Sequence, residues 1–140
     1  MLGITNIEYF QGDILKLDQQ AQKFDVIESG GVLHHMDDPM AGWHVLTKLL
    51  NPGGLMKIGL YSQLARRDVA RARREIASKG IGASEFELRE FRKSLVESHE
   101  KHGQLLTRSQ DFFSLSAFRD LVFHVQEHCF TLPQIQTCLD

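Results

Sequence analysis

Three groupings of side chains in this sequence have types and spacings suited to chemistry. The first is the run Lys23-Phe24-Asp25-Val26-Ile27-Glu28-Ser29-Gly30-Gly31-Val32-Leu33-His34-His35-Met36. An apolar stretch passes there into a hydroxyl, two glycines and two histidines, and the glycines remove side chains where a ligand must approach closely. His34 and His35 can be read as an acid/base pair or a metal pair; adjacent residues seldom point the same way, so metal binding is not expected. The second grouping is His124-Val125-Gln126-Glu127-His128. On a helix this H-x-x-E-H pattern sets His124 and His128 one turn apart, able to share a zinc ion with Glu127 as base. A third protein ligand is needed, and only twelve residues remain after it, so zinc at His124 and His128 stands as a remote alternative. The third is the basic stretch Arg66, Arg67, Arg71, Arg73, Arg74 and Lys79. Such a stretch can contact phosphates. Asp68 and Glu75 interrupt it and no aromatic residues interleave for base stacking, so a solvated helix face is the expectation and nucleic acid is not an expected partner.

These groups need elements to hold them. Asn6 to Phe10 reads as a strand ended by a Gly12-Asp13 turn. Phe24 to Glu28 is a second strand, whose Val26-Ile27 centre is apolar on successive residues, as in a strand covered on both faces. Asp38 can cap a helix with Pro39 in its first turn. Trp43, Leu46, Leu49 and Leu50 recur at three- and four-residue spacing, and Asn51-Pro52-Gly53-Gly54 stops that helix. Leu55 to Tyr61 is the third strand. Strand, turn, helix, turn, strand is a βαβ unit of a parallel sheet, in which ligands bind beyond the carboxyl ends of the strands. Ser29 to Met36 lies at such an end.

After Ser62 the pattern becomes helical. The basic helix runs to Lys79 and is broken by Gly80-Ile81-Gly82. Ser84 to Glu87 has the capping-box pattern, and the helix it opens reaches about Lys101, with His102-Gly103 ending it. Ser114 or Ser116 caps a fourth helix, and Thr131 with Gln134 opens a fifth. Residues 63 to 130 are expected to hold at least three helices and no strand, with Phe86, Phe91, Leu95, Phe118, Leu121 and Val122 mostly buried.

The bulk numbers set bounds. The chain has 140 residues, 42% hydrophobic and 24% charged, with a net charge of -2. That suits one globular domain and argues against disorder. No apolar run approaches the roughly 20 residues needed to span a bilayer, and no signal peptide is visible at the N-terminus. Two cysteines, Cys129 and Cys138, are too few for a disulfide framework, so reduced thiols in the cytoplasm are expected.

Asp25-Val26-Ile27, Val32-Leu33-His34-His35-Met36, Asp38-Pro39, Leu49-Leu50-Asn51-Pro52-Gly53-Gly54 and Gly59-Leu60-Tyr61-Ser62 resemble the second half of a class I S-adenosylmethionine-dependent methyltransferase. The resemblance covers residues 4 to 62. The tail from Phe112 to Leu139 is similar to methyltransferase domains attached to tetratricopeptide-repeat proteins, although no such repeat is present. The resemblance implies an α/β fold: a partial Rossmann-like parallel sheet, the third to fifth strands of the methyltransferase fold, with a long helical C-terminal extension. It implies 1–62 as the partial core and 63–140 as the extension of the same domain.

It also implies site residues. Gly12, Asp13 and Ile14 fall where the family places an adenine-binding carboxylate after its third strand; a carboxylate only accepts hydrogen bonds and the exocyclic amine only donates. Ser29, Gly30, Gly31 and Val32 flank the methionine moiety of the cofactor S-adenosylmethionine. His34 is the candidate on the substrate side, and no catalytic residue is assigned. Methyl transfer needs mainly alignment of donor and nucleophile, so a strong general base is not required. The family's glycine-rich loop and the acidic residue ending its second strand have no counterpart here, nor do its last two strands. The expectation is therefore an internal fragment of a methyltransferase, inactive in isolation although its full-length parent transfers a methyl group to an acceptor the sequence does not identify. Open strand edges imply possible self-association. The non-enzymatic alternative is an interaction module that keeps half of the fold.

Overall fold

The computed structural model describes residues 5–19, 22–98, 101–124 and 126–139, with only the backbone for 101 and 102. The chain divides into two compact units, Met1–Gly59 and Leu60–Asp140. Among the described residues no helix is long and apolar enough to cross a membrane.

The first unit is a small parallel sheet with a crossover helix. Strand β1 (Phe24–Gly30) pairs in parallel with β2 (Leu50–Gly59), and helix α1 (Pro39–Lys48) connects them. Local chemistry fixes the helix ends. Asp38 Oδ1 accepts from the amides of Met40 and Ala41 at 2.9 and 3.0 Å, and Pro39 occupies the first turn. At the other end Lys23 Nζ donates to the Lys48 carbonyl at 2.9 Å, a cation on the negative end of the helix dipole. The βαβ unit is the one the sequence implies, with one shift. Asn51 to Gly54 is not the helix stop: α1 ends at Lys48, and these residues bulge at the start of β2, since Phe24 faces Leu50 but Val26 faces Leu55. The bulge needs its glycines. Gly53 has φ +80°, and a Cβ on Gly54 would sit 2.9 Å from the Asp25 carbonyl. Asn51 Nδ2 ties it down by donating to Asp25 Oδ1 at 2.8 Å.

Two further expectations are corrected in this unit. Residues 5–10 form no strand; they lie exposed, Tyr9 and Phe10 almost wholly so. A strand needs a ladder partner for its amides and carbonyls, and none of the described residues offers one there. Nor is β1 covered on both faces. Leu33, Val45, Leu46 and Leu49 form the buried side, whereas Val26 and Leu55 remain 66% and 71% exposed. Trp43 and Leu50 are only half-buried, so the apolar stripe of α1 centres on Val45, Leu46 and Leu49.

The second unit is mainly helical. It comprises β3 (Tyr61–Ser62), α2 (Arg67–Lys79), α3 (Glu85–Glu97), α4 (Lys101–Leu106), α5 (Leu115–Phe123), β4 (Cys129–Phe130) and α6 (Leu132–Leu139). Ser84 and Glu87 complete the capping box of α3, Ser114 caps α5, and Thr131 with Gln134 caps α6. Val69, Ala72 and Ile76 of α2 meet Leu88, Phe91 and Leu95 of α3 and Phe118, Leu121 and Val122 of α5. Burying each such side chain is worth about 1.5–3 kcal/mol. Phe112 and Phe118 pack edge to face at 5.4 Å.

Three sequence expectations fail here. Phe86 is 73% exposed, because it lies in the first turn of α3 off the Leu88, Phe91, Leu95 stripe. Gly103 is not a helix stop: α3 ends at Glu97, and Gly103 lies inside α4, where a Cβ would come 3.0 Å from the Leu95 carbonyl. The segment is not strand-free either, since Tyr61 and Ser62 pair in parallel with Cys129 and Phe130.

Candidate functional site

The candidate site of the first unit is the carboxyl end of its two strands. There Gly30 of β1 faces Gly59 of β2. A Cβ on Gly59 would lie 3.2 Å from the Gly30 Cα, so the close approach of the strand ends is eased by the missing side chain at Gly59. Gly31 follows with φ +74°, a backbone that side-chain-bearing residues rarely adopt. A Cβ built on Gly30 or Gly31 would meet nothing within 4 Å. The rim is thus backbone facing open space. Ser29, just inside it, is 6% exposed, and its buried Oγ has no hydrogen-bond partner. Such a hydroxyl is costly unless something satisfies it. Val32 is exposed beside the glycines.

The chain then turns through Leu33–His35, a short 3-10 segment. His34 is 1% exposed, and its ring meets that of His35 edge on, with centroids 4.3 Å apart. One residue that pattern reading passed over holds this loop in place. Gly42 in α1 faces Met36 and Leu33; a Cβ there would be 2.5 Å from Met36 Sδ and 2.9 Å from Leu33 Cδ2. The signal available in the sequence was a glycine inside an otherwise helical pattern.

Gly12, Asp13 and Ile14 sit at the start of the 3-10 segment Ile14–Gln19, which packs against α1. Gly12 and Asp13 are exposed. Asp13 Oδ1 accepts from the Leu15 amide at 3.0 Å, and its carbonyl accepts from the Lys16 amide at 3.0 Å. The Asp13 carboxylate therefore holds its own turn with one oxygen, in a residue that is exposed.

In the second unit the H-x-x-E-H pattern loses its premise. Helix α5 ends at Phe123, and His124 is already non-helical with ψ 128°, so His124 and His128 are not one helical turn apart. Among the described residues no three His, Cys, Asp or Glu side chains group around a possible metal position. Glu127 is committed elsewhere. Its side chain is 3% exposed and its Oε2 accepts from Arg66 Nη2 at 3.1 Å and Arg73 Nη2 at 3.0 Å. Arg73 also donates from Nε and Nη2 to the Leu121 carbonyl, and the Arg66 guanidinium lies 3.7 Å from the Tyr61 ring centroid. Cys129 Sγ donates to Glu127 Oε1 at 3.8 Å, and burial, with the Glu127 charge beside it, pushes this thiol above its ordinary pKa. The basic stretch is therefore not wholly a solvated face: Arg66 and Arg73 turn inward.

Two comparisons with known proteins bear on this chain. Residues 2–56 match the sequence model of a family described as "Methyltransferase domain". An uncharacterized protein of Synechococcus sp. is 34% identical over 76 residues. That alignment takes in 54% of this chain and 18% of the relative, so the chain spans about a fifth of the length of that curated protein.

Proposed function

We propose, from the match of residues 2–56 to a methyltransferase domain, that the chain is a portion of a class I S-adenosylmethionine-dependent methyltransferase and carries two parts of its cofactor site. The observation that supports this reading best is the glycine rim at the strand ends, with the buried, unsatisfied Ser29 Oγ behind it. The space that side chains at Gly30 and Gly31 would fill is where a ligand can approach the backbone closely. Ser29 to Val32 would flank the methionine portion of the cofactor, and Asp13 with Ile14 would take the adenine edge, the carboxylate accepting from its amino group. Bound there, the cofactor supplies an electrophilic methyl group. The chain's own task is to orient it. His34, beneath the loop, holds the shape of Ser29 to Val32 on the side from which an acceptor would come. We place the protein in the cytoplasm, with two reduced cysteines.

The chain taken alone is proposed to be catalytically incompetent. None of its residues is assigned to the cofactor's carboxylate end or ribose diol. Each such missing hydrogen bond to a charged or polar ligand group costs roughly 1.5–3 kcal/mol. Two or three of them weaken binding by on the order of a thousandfold or more. Amide-proton NMR of the chain titrated with S-adenosylmethionine tests the reading. The expected result is weak binding, no tighter than about millimolar, with shifts confined to Asp13, Ile14 and Ser29 to Val32. Shifts elsewhere, or none at saturating cofactor, would overturn the site assignment. Micromolar binding would overturn the incompetence.

A further inference from the structure

The second unit holds a cleft that the methyl-transfer reading does not use. Its volume is about 620 Å³, in the range that takes a small organic molecule. One wall comes from β3, the turn after it and the start of α2, including Tyr61, Leu64 and Arg67; the other from β4 and α6, including Phe130, Leu132 and Ile135. Leu64 and Leu132 at its edges are 72% and 81% exposed, although neither has a place in the core of that unit. Paired large apolar side chains left in water around a concavity mark a binding surface more often than chance exposure.

The charge of the cleft says what kind of molecule fits. Among the described lining residues Arg67 is the one charged group. Its guanidinium forms a long ion pair with Asp68, Nε to Oδ2 3.8 Å, beyond hydrogen-bond distance, and its side chain is mostly exposed. Behind the Tyr61 wall lie two further guanidinium groups, Arg66 and Arg73, against the single carboxylate of Glu127. Arg66 Nε is itself buried with no acceptor. Counting Asp68 beside Arg67 and Glu127 beside Arg66 and Arg73, this side of the cleft keeps a positive surplus, and its shielded part is the Arg66 and Arg73 pair rather than Arg67 itself. Apolar walls with one fork-shaped cation match a carboxylate on an apolar body.

We propose that this cleft binds a small apolar carboxylic acid, its body between Tyr61, Phe130 and Ile135 and its carboxylate on Arg67. The proposal rests on the second unit alone and stands or falls independently of cofactor binding in the first. Naphthoate serves as the probe and naphthamide as its neutral isostere, with binding to the full chain followed by amide-proton NMR. Saturable shifts at residues 60–67 and 130–135 are expected with naphthoate. Binding of naphthamide, and of naphthoate to Arg67→Gln, should be about tenfold weaker, equal to about 1.4 kcal/mol. Ile135→Trp, which fills the cleft, should abolish binding, and Arg74→Gln, outside it, should leave binding unchanged. Absence of saturable shifts, equal affinity for acid and amide, or undiminished binding by Arg67→Gln would each overturn the proposal; dispersed spectra of the variants show that they are folded.

Discussion

Glu127 accepts from Arg73 Nη2 at 3.0 Å with its own side chain 3% exposed, although 54 residues separate them in the chain. The same carboxylate oxygen receives Arg66. One anion thereby joins the start of α2, its middle and the segment leading to β4. Removing one partner from a buried pair leaves charge without compensation. Glu127→Ala, which strands two guanidinium groups, should destabilise the second unit by about 2–4 kcal/mol, the lower part of the range applying because the arginines keep some water contact. Glu127→Gln should cost less because it retains an acceptor. Urea midpoints at unchanged m-value measure this; a midpoint for Glu127→Ala equal to that of the parent would show the cluster to be energetically idle.

In the first unit Gly42 is predicted to be irreplaceable. Alanine is favoured over glycine in a helix by about 1 kcal/mol, so Gly42→Ala would stabilise α1 if nothing opposed it. Its methyl, however, would overlap Met36 and the fully buried Leu33. Overpacking of this kind costs about 1–3 kcal/mol, so the net change should be destabilising. Combining it with Met36→Ala should recover part of the loss, since that removes the closer of the two obstacles. Thermal melts of the single and double variants decide this, and a more stable Gly42→Ala would mean that the loop yields.

What could be read from sequence divides along the same lines as these two cases. Asp38-Pro39, Ser84 with Glu87, Ser114, and Thr131 with Gln134 were legible because a cap is a contact over two or three residues, fixed by local chemistry. The parallel β1 and β2 were legible because the helix between them bears one apolar stripe. Asn6 to Phe10 has strand composition yet no strand, because pairing depends on a neighbour that composition does not reveal. Tyr61 with Cys129, and Glu127 with its two arginines, join positions far apart in the chain and leave no periodic trace. Of the candidate site, the glycines at 30 and 31 were visible as residue types. Gly59 opposite Gly30, which makes the rim close, became apparent only from the register.

The capping box of α3 gives a pH dependence with a definite sign. Hydrogen bonds from the Ser84 hydroxyl first, then from the Gly82 amide, hold the Glu87 carboxyl below its ordinary value of 4.5. A carboxylate whose folded pKa is depressed contributes stability that is present above the unfolded value and is lost as the pH falls through the folded one. Acidification below 4.5 should therefore weaken the helix start. Glu87→Gln should flatten that part of the stability profile while leaving the neutral-to-alkaline part parallel to that of the parent. Identical acid limbs in denaturation curves taken across this window would show that Glu87 is not the group responsible.

The uncovered face of the two-stranded sheet leads to the last prediction. Val26 and Leu55 are cross-strand partners, and both stand mostly in solvent. The next pair on that face, Glu28 and Lys57, is an exposed ion pair at 2.7 Å, and surface pairs of this kind contribute little. The charge of this pair discourages stacking in one register but leaves the apolar half of the face free. A two-stranded sheet is marginal by itself, and its outer edges carry unpaired amides and carbonyls. The chain should therefore self-associate through this surface, visible in sedimentation velocity as a weight-average mass that rises with concentration. Replacing Val26 by Lys and Leu55 by Glu keeps the two positions complementary across the strands while removing the apolar area, and should return the protein to a monomer with unchanged circular dichroism. A parent chain that stays monomeric at every accessible concentration would remove this surface as an association site, and association that persists in the double variant would locate it elsewhere.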